Sequence, residues 1–346
     1  MALDAAGVPE MEIGIPVMGA HEEDLIRTLA QSVHQARTMV WGRMAERDLA
    51  AALRCQADIV HLAISVSDIQ IARKLGKSRA WVLAAIRRFV ALARDAGSAV
   101  SVGFEDASRA DPVFLVQAAQ AAQAEGAERV RYADTLGLLD PFGTFERVAA
   151  LRREVDLDIE MHAHDDLGLA TANTLAALRA GATHASTTVN GLGERAGNAA
   201  LEEVVMAARH VLGIDCGVDT TALPAISRTV AQASGRPVAA GKSIVGTAVF
   251  THESGIHVDG LLKDRRNYEA FQPEELGLQH RLVLGKHSGS HGVRSAYARL
   301  GVVLTEPQAQ ALLDCIRQHV ATTKQPPADA DLLRFQQHLL PAALAA

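Results

Sequence analysis

The stretch DIEMHAHDDLGLATANTLAALRAGA, residues 158–182, contains one complete unit of the pattern that decides the fold. Its first part, Asp158–His164, is apolar at alternate positions, which is typical of a β-strand. The helical pattern Leu169–Ala180 follows and stops before Gly181, and glycine just past a helix commonly forms a left-handed cap. The stretch therefore predicts one strand followed by one helix.

The same unit repeats from the N-terminus to about residue 212. The predicted strands are Met11–Ile15, Thr38–Met44, Asp58–Ser65, Ala99–Glu105, Arg129–Thr135, Asp158–His164 and His184–Asn190. Alternating strands and helices imply a parallel sheet. We predict an α/β fold with a TIM-type (β/α) barrel, and a doubly wound open sheet is the alternative.

The predicted barrel is one strand short of the usual eight. The chain opens on Leu3–Val8, which resembles a helix end and its cap, so we expect a barrel that lacks its first strand. We predict a barrel domain over residues 1–213. A smaller, α-rich C-terminal region of helices and lid segments follows over 214–346.

Composition restricts the class of protein. The chain has 346 residues, 49% of them hydrophobic and 21% charged, which is typical of a globular protein. The net charge of -6 argues against nucleic acid as a partner. Three cysteines without a CxxC motif indicate a reducing compartment, and no apolar run is long enough to span a membrane. We therefore expect a cytoplasmic protein with no membrane partner.

His162 and His164 are the clearest candidates for a metal site. Side chains two apart on a strand point to the same face, so both imidazoles can bind one divalent ion. The chain has 14 histidines, so a chance pair is the alternative. Its position favours a functional site, because barrel enzymes place their sites at the carboxyl ends of strands.

Polar residues follow neighbouring strands as well, at Glu105-Asp106, Asp134-Thr135 and Asn190-Gly191. The C-terminal region adds two loop-like runs, Thr251–His257 and Gly285–Gly289, whose His, Lys and Gly residues are poor core material. A solvated loop is one interpretation, and a contribution to a site is the other.

Four ordered motifs resemble the acyl-CoA-condensing family of homocitrate, isopropylmalate and citramalate synthases. They are His162–Asp166, Asn190–Asn198, Gly255–His257 and Gly285–Gly289. The resemblance covers essentially the whole chain. Further runs, of which Phe250–Gly260 is the longest, are most similar to homocitrate synthases of the nitrogen-fixation type, which supply homocitrate for the nitrogenase iron-molybdenum cofactor.

The resemblance also implies what the chain lacks. The opening strand of that family carries a Thr-Leu-Arg-Asp-Gly-Glu-Gln-type motif, which supplies a metal-binding acid and an enolate-stabilising arginine. Neither is found here. We expect a misassigned start or a truncated chain. A degenerate paralogue, acting only as a dimerising or metal-binding protein, is the alternative.

The implied reaction is a condensation of acetyl-CoA with 2-oxoglutarate that gives homocitrate and CoA; an isopropylmalate- or citramalate-type synthase is the alternative. The implied metal ligands are His162, His164 and Asn198, for a divalent ion that is Mg, Mn or Zn.

The remaining implied residues act on the substrates. Thr135 would contact a carboxylate of the keto acid, whereas Glu105, His257 and Tyr268 would be catalytic. Arg43 is our own candidate for the distal carboxylate of the keto acid, because it lies at the end of the predicted strand Thr38–Met44. In the family, the last two reach into the neighbouring barrel, so the resemblance implies a homodimer with exchanged lids.

Overall fold

The structure is a computed structural model that describes residues 1–339. Contacts divide the chain into two compact units, one from Met1 to Val238 and a second that starts at Ala239. The predicted domains, 1–213 and 214–346, stay a prediction. The two units are divided by contacts, whereas the predicted boundary was placed at the end of the last strand–helix unit.

The first unit is built on a seven-stranded sheet. Its strands are Glu10–Glu12 (β1), Arg37–Arg43 (β2), Ile59–Ser65 (β3), Ala99–Glu105 (β4), Arg129–Asp134 (β5), Asp158–Ala163 (β6) and His184–Ser186 (β7). All neighbours are parallel and follow chain order. A doubly wound sheet would reverse its strand order, so that alternative is wrong and the predicted barrel-type α/β fold is confirmed.

Side chains that meet across the interior show that this sheet is strongly curved. A guanidinium nitrogen of Arg129 lies 2.5 Å from Glu10, and one of Arg131 lies 2.9 Å from Glu12, which joins β5 to β1. In a flat sheet these strands would be roughly 19 Å apart. The sheet therefore wraps around a polar interior.

Helices cover the outer face. They span Ala2–Ala5 (α1), Ala20–Ser32 (α2), Glu46–Arg54 (α3), Asp68–Gln70 (α4), Arg79–Asp95 (α5), Pro112–Ala124 (α6), Pro141–Glu154 (α7), Ala170–Arg179 (α8), Leu201–Ala207 (α9) and Leu223–Ser234 (α10). Asp111 and Asp140 cap α6 and α7 by accepting backbone N–H bonds, and a proline follows each at the first helical position. Apolar side chains such as Val60 and Leu62 of β3 pack between sheet and helices.

Three elements differ from the sequence-based expectation. The first strand, predicted over Met11–Ile15, spans only Glu10–Glu12. The last strand stops at Ser186, because a 3₁₀ turn over Val189–Gly191 takes the chain away, with Asn190 in the left-handed region at φ 61°. Helix α3 was not predicted, since it starts after Ala45 without a capping side chain and is only nine residues long.

The second unit is mainly helical. It contains Gly255–Lys263 (α11), Ser290–Arg299 (α12), Glu306–Thr323 (α13) and Asp329–Leu339 (α14), with a short parallel pair, Thr251–His252 (β8) and Arg281–Leu282 (β9). Tyr297 is buried in its core and donates to the Leu332 carbonyl at 2.7 Å. The helical pattern of the sequence predicts a last helix over Ala330–Leu340, and its end at Leu340 lies outside the described residues. No helix of the described chain is both long and apolar enough to cross a membrane.

Candidate active site

His162 and His164 project from the carboxyl end of β6 and bring two ring nitrogens together. Their Nε2 atoms are 3.3 Å apart, and the rings are nearly perpendicular. Both nitrogens can lie about 2.0–2.1 Å from one ion, the usual Zn–N distance, only if the N–ion–N angle is about 104–111°. That angle is close to tetrahedral, so the pair fits a shared metal ion.

The surroundings keep both imidazoles neutral, which is the form that binds a metal. Burial, with the positive charge of Arg131 and the neighbouring His164, lowers the pKa of His162 to about 3. Burial and Arg195 lower the pKa of His164. The Nδ1 of His162 bonds the Ser186 hydroxyl at 3.0 Å, and this second contact fixes the ring.

Asn198 lies beside His164, because the two form an isolated antiparallel bridge. The amide nitrogen of Asn198 donates to the Leu192 carbonyl at 3.0 Å, whereas its Oδ1 is buried without a hydrogen-bond partner, as is Nδ1 of His164. The described residues contain no group of three His, Cys, Asp or Glu side chains suited to a metal. The residues that could hold a metal here are therefore the two imidazoles and the Asn198 amide oxygen, an incomplete set that would need other oxygens.

Arg195 ties the 190–198 loop to the ends of two strands. Its guanidinium forms a two-pronged ion pair with Asp166, with contacts of 2.8 and 2.9 Å, and donates to the Thr135 carbonyl at 2.7 Å. The Thr135 hydroxyl accepts the N–H of Asp106 at 2.8 Å. The clamp holds Thr135 and the loop of Asn198 together at the strand ends.

Glu105 ends β4 and is held by Ser65, which ends β3, and by Lys74 from the connection that follows β3. Both carboxylate oxygens lie 2.8 Å from Nζ of Lys74, and one accepts from the Ser65 hydroxyl at 3.2 Å. Lys74 belongs to a π-helical turn, Ile71–Leu75, a distortion that is frequent at functional sites. Its ammonium keeps Glu105 in a fixed orientation.

Arg43, at the end of β2, is engaged elsewhere. Its Nε and one terminal nitrogen bond the buried carboxylate of Asp48 at 2.8 and 2.9 Å, and this pair raises the pKa of the guanidinium. A guanidinium has five N–H donors, so only part of Arg43 remains for a substrate carboxylate.

His257 and Tyr268 lie together in the second unit. Their rings are stacked, with centroids 4.2 Å apart and planes 29° apart. The Tyr268 ring also covers Gly260, one turn along α11 from His257. An added Cβ at Gly260 would lie 2.4 Å from Cε2 of that ring.

The structure thus groups the candidates unequally. His162, His164 and Asn198 lie together with Thr135 nearby through Arg195, and Glu105 ends a strand of the same sheet. His257 and Tyr268 form a separate pair in the second unit. The assigned roles of all eight residues stay predictions.

Sequence reasoning missed three supporting residues: Ser186, Lys74 and Arg195. Ser186 faces His162 directly across the β6–β7 register, and a correct register of the last strand would have found it. Arg195 stands in the recognised 190–198 motif, but its pairing with Asp166 has no sequence signal. Lys74 has none either, because a π-helical turn sets its position.

Comparisons with known proteins address the family. An HMGL-like family model matches residues 1–230, and a model described as homocitrate synthase post-HMGL domain-like matches residues 244–324. A 2-isopropylmalate synthase 2 of Caldanaerobacter subterraneus is 47% identical over 98% of this chain and 88% of its own length. A homocitrate synthase of Frankia alni is 50% identical over 87% of this chain and 86% of its own length.

Solved structures agree on the fold. The crystal structure of Bacillus subtilis HMG-CoA lyase matches with a TM-score of 0.59 and 20% identity, over 68% of this chain and 85% of the lyase. The family expected from the motifs is confirmed: the chain belongs to the isopropylmalate, homocitrate and citramalate synthase family, with an HMGL-like region followed by a homocitrate synthase post-HMGL region.

Proposed function

We propose that this chain condenses acetyl-CoA with 2-oxoglutarate to form homocitrate and CoA. The observation that carries the proposal is the convergence of two neutral imidazoles, His162 and His164, beside the unpartnered amide oxygen of Asn198. These three side chains would hold a divalent ion and leave room for oxygens of an α-keto acid. Such an ion, when bound, would polarise the keto group and raise its electrophilicity.

The chain's own residues would carry the proton chemistry. A thioester methyl group is a weak carbon acid, so a base must remove its proton before the new carbon–carbon bond can form. We assign this step to His257, with Tyr268 stacked on it and Glu105 assisting from the barrel. Water then cleaves the thioester and releases CoA.

Binding of the keto acid would use the strand ends. Thr135, whose position is fixed by Asp106 and Arg195, would contact the carboxylate next to the keto group. The donors of Arg43 that Asp48 leaves free would contact the distal carboxylate, which distinguishes 2-oxoglutarate from branched keto acids.

An isopropylmalate-type synthase is the second candidate function. The 2-isopropylmalate synthase relative, identical at 47% of positions over 98% of the chain, favours it. The keto acid distinguishes the two candidates, since the first needs 2-oxoglutarate and the second 2-oxoisovalerate.

A direct assay separates these possibilities. Release of the CoA thiol would be followed with 2-oxoglutarate, 2-oxoisovalerate and pyruvate, with Mg, Mn or Zn present. We expect the highest kcat/KM with 2-oxoglutarate. A preference for 2-oxoisovalerate would support the second candidate, and no turnover with any keto acid would contradict both.

The metal site has a readout of its own. His162→Ala should lower bound metal after dialysis against Mn or Zn and abolish most turnover, with little loss of thermal stability. His184→Ala is the matched control, because His184 also belongs to a barrel strand but bonds Thr183 instead of a second imidazole. Unchanged metal content in His162→Ala would contradict the assignment.

The proposed homodimer with exchanged lids can be tested by mixing two inactive variants. If His257 acts in the neighbouring barrel, a heterodimer of His162→Ala and His257→Ala contains one intact site. Random mixing of equal amounts should then restore about a quarter of wild-type activity. No recovery, with subunit exchange verified, would mean that each chain uses its own His257.

A further inference from the structure

The second unit contains a chain of three hydrogen-bonded side chains that the proposed chemistry does not use. Nε2 of His280 lies 2.6 Å from Oε1 of Glu269, and Nδ1 of the same ring lies 3.2 Å from Nε2 of His252. Both nitrogens of His280 are thus occupied, with a carboxylate on one side and an imidazole on the other.

This cluster is ordered by its neighbours. The β8–β9 pair places His252 next to Leu282, two residues after His280. Arg265 binds the same carboxylate oxygen of Glu269 at 2.6 Å, and the Phe250 ring packs edge-on against His280. The side chains of Glu269 and His280 are only 7% and 16% exposed, so water competes weakly for their bonds.

The chain of bonds ends beside the proposed base. The rings of His252 and His257 have centroids 6.4 Å apart. Glu269, at the other end, directly follows Tyr268, the residue stacked on His257. Both ends of the cluster therefore adjoin the His257–Tyr268 pair.

The hydrogen bonds fix which nitrogen of His252 is free. Glu269 accepts the Nε2–H of His280. If His280 is neutral, its Nδ1 is an acceptor and takes the Nε2–H of His252, which leaves a lone pair on Nδ1 of His252. A proton that reaches this Nδ1 can be balanced by transfer of the Nε2 proton to His280, which then forms an ion pair with Glu269.

We propose that Glu269, His280 and His252 form a positioning relay that orients His252 beside His257 and holds a proton during the reaction. The proposal rests on the proposed role of His257. It has the logic of other catalytic sites in which a carboxylate orients an imidazole for the next group.

The charges around the relay agree with movement of a proton from His252 to His280. Burial, with His280 and His257, lowers the pKa of His252, which disfavours the protonated form of this ring. Burial opposes ionisation of Glu269, yet the bonds from His280 and Arg265 lower the pKa of that carboxyl. Glu274, which pairs with Arg265, is a further charged group near His280.

The test removes the central ring nitrogens and keeps an aromatic ring. In His280→Phe, nitrogen NMR of the histidine-labelled full chain should show His252 changing from one neutral tautomer to a mixture. We also expect kcat to fall roughly ten-fold or more, as is usual for partners that orient a functional group, with KM unchanged and the pH profile of kcat shifted. His291→Phe is the matched control, since His291 is an exposed histidine of the same unit outside the relay.

Glu269→Gln is the second variant, because it keeps an acceptor for His280 and removes the charge. Glu269→Gln should also shift the pH profile of kcat. An unmoved His252 tautomer in folded His280→Phe, or a moved tautomer with unchanged kcat and pH profile, would overturn the relay. If the wild-type chain has no turnover but the tautomer moves, the relay geometry stands and only the proposed function fails.

Discussion

Gly260→Ala should separate catalysis from stability in the second unit. Gly260 and His257 lie one turn apart on α11, and the Tyr268 ring rests over both. A Cβ at residue 260 would lie 2.4 Å from Cε2 and 2.9 Å from Cδ2 of Tyr268. Contacts this short do not occur, so the ring must move.

The size of the effect follows from these distances. Ordinary contacts begin at 3.4 Å, so the nearest ring atom must retreat by about 1 Å, and the stack on His257 opens. A misplacement of about 1 Å can cost roughly 100-fold in rate. We therefore expect kcat to fall about 100-fold.

Stability should change little. Alanine within a helix is favoured over glycine by about 0.5–1 kcal/mol. Tyr268 is 38% exposed, so its ring can move toward solvent without compressing a core. The gain from alanine and the cost of moving the Tyr268 ring nearly cancel. We therefore expect the free energy of unfolding to stay within about 1 kcal/mol of wild type.

CoA thiol release and thermal unfolding would measure the two quantities. Proton NMR of His257 would report loss of the ring-current shift from Tyr268. Gly292→Ala is the matched control, because Gly292 also lies in a helix of the same unit, and a Cβ there would meet nothing closer than 3.7 Å. If Gly260→Ala retains turnover within two-fold of wild type while the Tyr268 stack is lost, the stack has no catalytic role.

Three further predictions concern the barrel interior. Glu160→Gln should lower the free energy of unfolding by about 3–5 kcal/mol in urea titrations. The reason is that Glu160 lies 3.2 and 2.7 Å from the buried guanidiniums of Arg129 and Arg131. A loss below about 1 kcal/mol would contradict this. Gly103→Ala should lower the free energy of unfolding by about 1–3 kcal/mol in the same titration, because its Cβ would lie 2.3 Å from Nε2 of His61. Adding His61→Ala should restore part of that loss. Burial, then Arg131 and Arg129, hold the pKa of His61 well below 6.5. Below pH 6.5, the unfolded chain therefore binds a proton at His61 that the folded chain does not bind. Stability from this group is present above pH 6.5 and is lost as pH falls, and His61→Gln should reduce that loss by up to about 1.4 kcal/mol per pH unit.

The barrel strands were predictable because each has a short apolar run and a polar or glycine stop. The bounds of β4 match the prediction, and helices α6 and α7 begin at Asp-Pro pairs, which are a typical sequence signal for a helix start. Helix α3 has no such signal, because Ala45 cannot cap it. The last strand was overextended, since its alternating pattern runs into a turn that only tertiary contacts define.

The sequence predicted which face of β6 the candidate metal ligands share. It did not predict which groups contact them. Alternation along β6 placed His162 and His164 on one face, and the structure agrees. Which groups hold them is a property of neighbouring strands. Arg43 illustrates the difference, because its position at a strand end suggested a substrate contact, whereas the start of α3 supplies Asp48 as its partner.

The interior charges connect the fold with the site. Arg131 pairs with Glu12 across the barrel and with Glu160 on the adjacent strand, so it helps to hold the curved sheet together. The same cation disfavours protonation of His162, whose pKa burial already lowers. A neutral His162 can accept a metal ion at neutral pH, whereas a protonated one cannot. Replacing Arg131 would therefore change both the stability of the barrel and the proton competition at the candidate metal site, and the two effects should be measured together.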